Sequence, residues 1–180
     1  MEIRKTAIDG VLIIENHLTN DGRGSFVKSY NAESFEIEEI DLKIQESYYS
    51  VSRANVIRGM HFQLPPYEHN KMIYVAKGAV NDVVLDLREK SKTYKQHVKV
   101  ELSGCDSLTL FIPKGCAHGF KSLVDDTITV YNVDSVYNTK YDSGIHFESF
   151  GFDWETENPI ISERDDQLID MNEFLLRNTF

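Results

Sequence analysis

The sequence predicts an all-β fold, a jelly-roll β-barrel with a few short helices, as a single domain over residues 1–180. Three observations carry this. Short β-rich runs recur between turn signals at roughly 8–12-residue spacing, the pattern of a sandwich or barrel. Several runs alternate apolar and polar residues, as strands with one wet face do. Two histidine-bearing strand segments, around His61 and His118, are separated by hairpin signals, which brings polar chemistry to the inside of a barrel. A chain of 180 residues is long enough to bury a substantial core.

The elements follow in order. Residues 11–15 are apolar and β-rich, Asn20-Asp21-Gly22-Arg23-Gly24 reads as a turn, and residues 25–30 resume a strand. Asn31 is a candidate N-cap for a short helix over 32–40, with acidic residues near its start. Ile57-Arg58-Gly59-Met60-His61-Phe62-Gln63 is a strand ending at the Pro65-Pro66 turn, and Lys71 opens the next. Residues 72–76 and 80–87 flank Lys77-Gly78, a hairpin signal. Val98, Val100 and Leu102 alternate with charged residues, and Leu108, Leu110 and Ile112 alternate again before Pro113. The Pro113-Lys114-Gly115 turn leads to His118, residues 127–133 form a β-branched run, and 170–177 is weakly helical. There is no linker, low-complexity tract or internal repeat.

Composition narrows the function. The formal net charge is -10, which argues against nucleic acid or an anionic membrane as the main partner but leaves room for a small phosphorylated substrate. No apolar run approaches the roughly 18 residues that span a bilayer. Met1-Glu2-Ile3-Arg4-Lys5 leads into no apolar signal segment, so a cytoplasmic location is expected. Cys105 and Cys116 are the two cysteines; free thiols are expected rather than a disulfide.

The candidate chemistry gathers in a few residues. His61 and Gln63 share a face of their strand, whereas strict alternation puts Arg58 and His61 on opposite faces. A bulge at Gly59 would re-aim one of them. Two histidines and an amide make a poor donor set for zinc or iron, so no metal is expected. Lys71 is a candidate cation for an oxyanion or phosphate, set against the ordinary fate of a solvated lysine. Arg23 reads equally as a surface turn residue or as part of a diphosphate cluster with Arg58 and Lys71. Tyr131 and Tyr137 are packing residues unless a phenol at the barrel mouth donates a proton. Asp165, from its local sequence, reads as an ordinary exposed carboxylate.

The ordered set of motifs resembles the dTDP-4-dehydrorhamnose 3,5-epimerase family, nucleotide-sugar epimerases of the cupin superfamily. The matching stretches are Gly10-Val11-Leu12-Ile13, Asp21-Gly22-Arg23-Gly24-Ser25-Phe26, Ile57 through Tyr67 with Lys71, residues 83–88, Ile112 through Phe120, Phe152-Asp153-Trp154 and residues 159–165. The resemblance implies His61 as base with Asp165 as its dyad partner, and Tyr131 as the acid on the opposite face. It implies Lys71, assisted by His118, at the enolate oxygen. Arg58, Arg23, Phe26, Gln63 and Tyr137 become substrate contacts, with Arg23 offered by the partner of a homodimer. The implied substrate is a nucleotide-diphosphate sugar, and no cofactor is implied, because the sugar already carries a ketone. Lys28, Glu46, Tyr48 and Glu68-His69-Asn70 depart from the family pattern and leave substrate identity open. A 3-only or 5-only epimerase, a ketoisomerase and a non-catalytic sugar-binding relative are the alternatives.

Overall fold

Alternation along the strands buries one face of each of two sheets against the other. The computed structural model describes residues 2–177 and 180. The elements are β1 (Glu2–Lys5), β2 (Leu12–Glu15), β3 (His17–Asp21), β4 (Gly24–Lys28), α1 (Ala32–Ile37), β5 (Glu46–Ser52), β6 (Ile57–Gln63) and β7 (Lys71–Lys77). They continue as β8 (Ala79–Asp86), β9 (His97–Ser103), β10 (Leu108–Ile112), β11 (Cys116–Ser122), β12 (Thr127–Val133), β13 (Asp142–Gly144), α2 (Glu163–Asp166) and α3 (Met171–Leu175). One sheet runs β1-β2-β10-β7-β12-β5, and the other runs β13-β6-β11-β8-β9. Their pairings are antiparallel, and together they make the predicted jelly roll.

Three apolar clusters hold the layers. Between the sheets lie Ile73 and Val75 of β7, Leu110 and Ile112 of β10, Val80 and Val84 of β8, and Phe120 of β11. The outer face of the five-stranded sheet is covered by the C-terminal segment, with Phe147, Trp154, Met171 and Phe174 over Met60, Val83, Leu85 and Ala117. The outer face of the six-stranded sheet is covered by α1 and the loop after it, with Phe35, Ile40 and Leu42 on Ile14, Met72 and Phe111. Because both faces are covered, β11 is buried at every position and β8 at all but its first. This explains why neither strand shows a clean alternation of apolar and polar residues.

Some boundaries differ from expectation. The helix predicted over 32–40 stops at Ile37: Asn31 caps it as expected, but Glu38 closes it and Glu39 turns left-handed at φ 56°. The predicted turn over 20–24 is narrower, because β3 runs to Asp21 and β4 starts at Gly24. Among the described residues these two strands pair only with each other, and all of their residues are exposed. The predicted Gly59 bulge is present. β6 spends three residues from Arg58 to His61 where β11 spends two from Phe120 to His118. A Cβ on Gly119 would lie 2.8 Å from both the Arg58 carbonyl and Met60 Sδ, so its bare backbone is what lets β11 meet the bulge.

Candidate active site

The bulge decides the geometry. It turns Arg58 onto the same inner face as His61, and His61 lies directly opposite His118 in the register. From the facing sheet come Lys71 of β7 and Tyr131 of β12. A cavity of about 270 Å³ is lined by Arg58, His61, Lys71, His118, Phe120, Tyr131, Tyr48 and Ser50. An adjoining cavity of about 420 Å³ shares Tyr48, His61 and Lys71 with it and extends to Gln63, His69, Tyr137, Asp142 and Arg164.

His61 is held from behind. Ser162 caps α2 by accepting from Asp165 N–H, and this sets Asp165 under the bulge. One carboxylate oxygen accepts from Gly59 N–H at 3.1 Å, and the other lies 2.7 Å from His61 Nε2. Asp165 is 3% exposed, which corrects the local reading of an exposed carboxylate; the tertiary bond to the bulge buries it. Nε2 also has Arg164 Nη1 at 2.9 Å, and one nitrogen cannot both donate and accept. Burial opposes ionisation of Asp165, but the hydrogen bond and charge of His61, the Gly59 N–H and Arg164 outweigh it, leaving its pKa below the usual value. The ionised carboxylate therefore takes the Nε2 proton. Arg164 is anchored instead by carboxylates, 2.6 Å from Asp142 and 3.3 Å from Asp165. Nδ1 of His61 is left as the proton acceptor. Burial lowers the His61 pKa below 6.5, against the pull of Asp165 and with the help of Arg164 and Lys71, so the ring is neutral at pH 7.

Lys71 is buried and donates to the His61 carbonyl at 3.1 Å. Burial pulls its pKa down to about 8, with the Asp142 and Asp82 charges resisting. The Tyr131 hydroxyl sits 3.2 Å from Ser50 Oγ, its ring stacks on Tyr48, and burial raises its pKa well above the ordinary phenol, so it stays protonated. His118 pairs with Asp82 at 2.8 Å, both buried. Arg58 donates to Ser52 Oγ at 3.1 Å and to the Val51 carbonyl at 3.3 Å. Tyr137 is 57% exposed at the mouth, bonded through its hydroxyl to Asp142 and through its N–H to Glu46.

Eight of the ten predicted residues thus meet at or beside the two cavities. Arg23 and Phe26 do not: they lie on the β3–β4 ribbon, Arg23 paired with Asp21 at 2.6 Å and Phe26 61% exposed. Asp82, Arg164 and Asp142 were missed as site residues, whereas Tyr48 and His69, noted in the sequence as departures from the family pattern that bear on the substrate, line the cavities. Asp82 had a signal, an acid between Val80 and Val84 in an apolar strand; Arg164 and Asp142 had none. Among the described residues, no group of three or more His, Cys, Asp or Glu is placed to hold a metal ion, and no helix is long and apolar enough to cross a membrane.

The dTDP-4-dehydrorhamnose 3,5-epimerase family matches residues 5–173. The chain belongs to this family. A family member from Shigella flexneri, a dTDP-4-dehydrorhamnose 3,5-epimerase, is 37% identical over 169 residues, covering 92% of this chain and 93% of its own. The Bacillus anthracis epimerase, solved with TDP and pyrophosphate bound, superposes with a TM-score of 0.91 at 36% identity, over 94% of this chain and 99% of that one. The Legionella pneumophila epimerase, solved with dTDP-4-keto-L-rhamnose, superposes with a TM-score of 0.90 at 32% identity, over 95% and 93%.

Proposed function

We propose that this chain epimerises a nucleotide-linked 4-keto-6-deoxy sugar at carbons 3 and 5 through an enolate, with dTDP as the nucleotide. The observation that carries this reading is that His61 and Tyr131 reach one cavity from opposite sheets, with Lys71 beside them. The ketone at carbon 4 acidifies the hydrogens at carbons 3 and 5. His61 Nδ1 removes one of them as a proton, and the electron pair of the C–H bond moves into the enolate, leaving negative charge on the ketone oxygen. Lys71, assisted by His118, faces that charge; one such fixed donor is typically worth about 10²–10³ in rate. Asp165 balances the imidazolium that forms. Tyr131 then gives its proton to the same carbon from the other side, and the centre inverts. Arg58 serves the diphosphate, and Gln63 and Tyr137 line the path to it. This scheme calls on no cofactor and no metal.

The reading includes a homodimer. The ribbon of β3 and β4 is exposed at every residue, and it carries Arg23 and Phe26 away from the cavities of their own chain. The edge strand β5 also exposes Tyr49 and Val51. A second copy covers these surfaces and receives Arg23 and Phe26 at its nucleotide site.

Proton NMR in D₂O tests the chemistry on 4-keto-6-deoxy sugars linked to dTDP, CDP, UDP and GDP. The wild type is expected to introduce deuterium at carbons 3 and 5 of the dTDP sugar, and His61→Asn to abolish both. Tyr131→Phe is expected to lose inverted product far more than deuterium wash-in, since a proton returned from the original face leaves the configuration unchanged. Exchange that survives His61→Asn, or a carbonyl that moves, would sink the reading.

A further inference from the structure

The amide of Gln63 is committed at both ends. Its Oε1 accepts from Asn138 N–H at 2.6 Å, and the two hydrogens of its Nε2 are shared among the Tyr67 carbonyl at 3.0 Å, the Val136 carbonyl at 3.3 Å and His69 Nδ1. These three backbone partners leave no freedom to exchange oxygen for nitrogen. Gln63 Nε2 also lies 3.1 Å from His69 Nδ1, and an amide nitrogen can only donate there. His69 Nδ1 is therefore the acceptor. Burial, reinforced by the Lys71 charge and opposed by the Tyr67 backbone, drives the His69 pKa down to about 3, so the ring carries one proton, and with Nδ1 accepting from Gln63 that proton is on Nε2. Nε2 is buried and has no hydrogen-bond partner among the described residues. A buried donor of fixed direction with no acceptor is out of place unless a ligand or water meets it.

His69 lines the larger cavity with His61, Lys71 and Arg164. It precedes Lys71 by two residues, just ahead of β7. The cations of the two cavities, Lys71, Arg58 and Arg164, suit the groups that carry negative charge, namely the phosphates and the enolate oxygen. A neutral N–H is matched to a neutral acceptor. We propose that His69, oriented by Gln63, is a substrate-binding residue whose Nε2–H donates to a hydroxyl oxygen of the sugar. This rests on the nucleotide-sugar reading above and adds to it a group that reads the sugar and not the nucleotide. A sugar without that hydroxyl leaves the donor unpaired, which is how such a site selects.

Calorimetry with bare dTDP and with dTDP-glucose, repeated with the CDP, UDP and GDP pairs, separates the two ideas. In the wild type the hexose is expected to add affinity over the bare diphosphate of one pair. His69→Phe keeps a flat ring without the N–H. It should weaken the hexose conjugate about tenfold while leaving the bare diphosphate within about twofold, the size expected for one neutral hydrogen bond. His69→Gln restores a donor and should recover most of the loss. His69→Ala, which opens space instead of filling it, replaces the Phe variant if that chain does not fold. Equal weakening of both ligands, or weakening of neither, overturns the role of His69 while the nucleotide-sugar reading stands. A wild type that binds no member of any pair overturns that reading and this inference with it.

Discussion

His61 is neutral and Lys71 mostly charged at neutral pH, and under the proposed mechanism these two pKa shifts set the pH window of activity. His61 titrates below 6.5, so it is neutral and able to accept a proton at pH 7. Lys71 titrates at about 8, so it is mostly charged there and loses its charge as the pH rises further. The expected profile of kcat/KM is a bell with its acid limb below pH 6.5 and its alkaline limb near pH 8, since this parameter reports the free enzyme. Lys71→Arg keeps the cation at all working pH values, so the alkaline limb should disappear even if the rate falls. An alkaline limb unchanged in that variant would assign it to another group. The residues that make this window were unequally legible. His61, Lys71 and His118 announce themselves as polar residues in strand patterns. Asp165 and Arg164 do not, because α2 is four residues long and carries no readable period. What buries Asp165 is a hydrogen bond to Gly59, 106 residues away, and no local pattern records that.

At the scale of elements, the site depends on how closely β6 and β11 approach. Gly119 packs its bare backbone against Arg58 and Met60 at the bulge. Gly119→Ala must push the two strands apart, and forced overpacking of this kind costs about 1–3 kcal/mol. Denaturant unfolding should show that loss. Turnover of the folded variant should fall as well, because the same bulge presents the Gly59 N–H to Asp165. A variant of wild-type stability and rate would show that the bulge does not set the site. β9, with one wet face, was legible from alternation, and so was β10, although both of its faces are covered. The β3–β4 ribbon was legible only as a turn followed by a strand, since its residues are exposed throughout and no face alternates. β13, three residues long, and β1 passed unnoticed for want of length. The helix at 32 was legible from its cap, but its end was not, because Ile40 continues the apolar pattern and is buried from the loop that follows the helix.

For the molecule as a whole, the proposed dimer makes a prediction that a lone chain cannot satisfy. Arg23→Ala and His61→Asn should each be nearly inactive. If Arg23 serves its partner's site, a mixed dimer of the two holds one site with both defects and one with neither. Co-expressed in equal amounts, the pair should recover about a quarter of wild-type activity, half of the dimers being mixed and half of their sites sound. No recovery would place Arg23 in its own chain's site or remove it from function. The union of His61 with Asp165 has a consequence in time as well as in space. The two residues are 104 apart in the chain, and the strands of both sheets end at Gly144, before Asp165 is reached. A ribosome therefore delivers the strands of both sheets ahead of the carboxylate that His61 meets, and domains begin to fold as they emerge. Such a nascent chain holds its histidine without a counterpart, and the outer face of its five-stranded sheet still lacks Met171 and Phe174. Under the proposed mechanism, chemical competence is acquired late in the chain's own birth, and any product cut short before residue 165 would carry His61 without the carboxylate proposed to balance its charge.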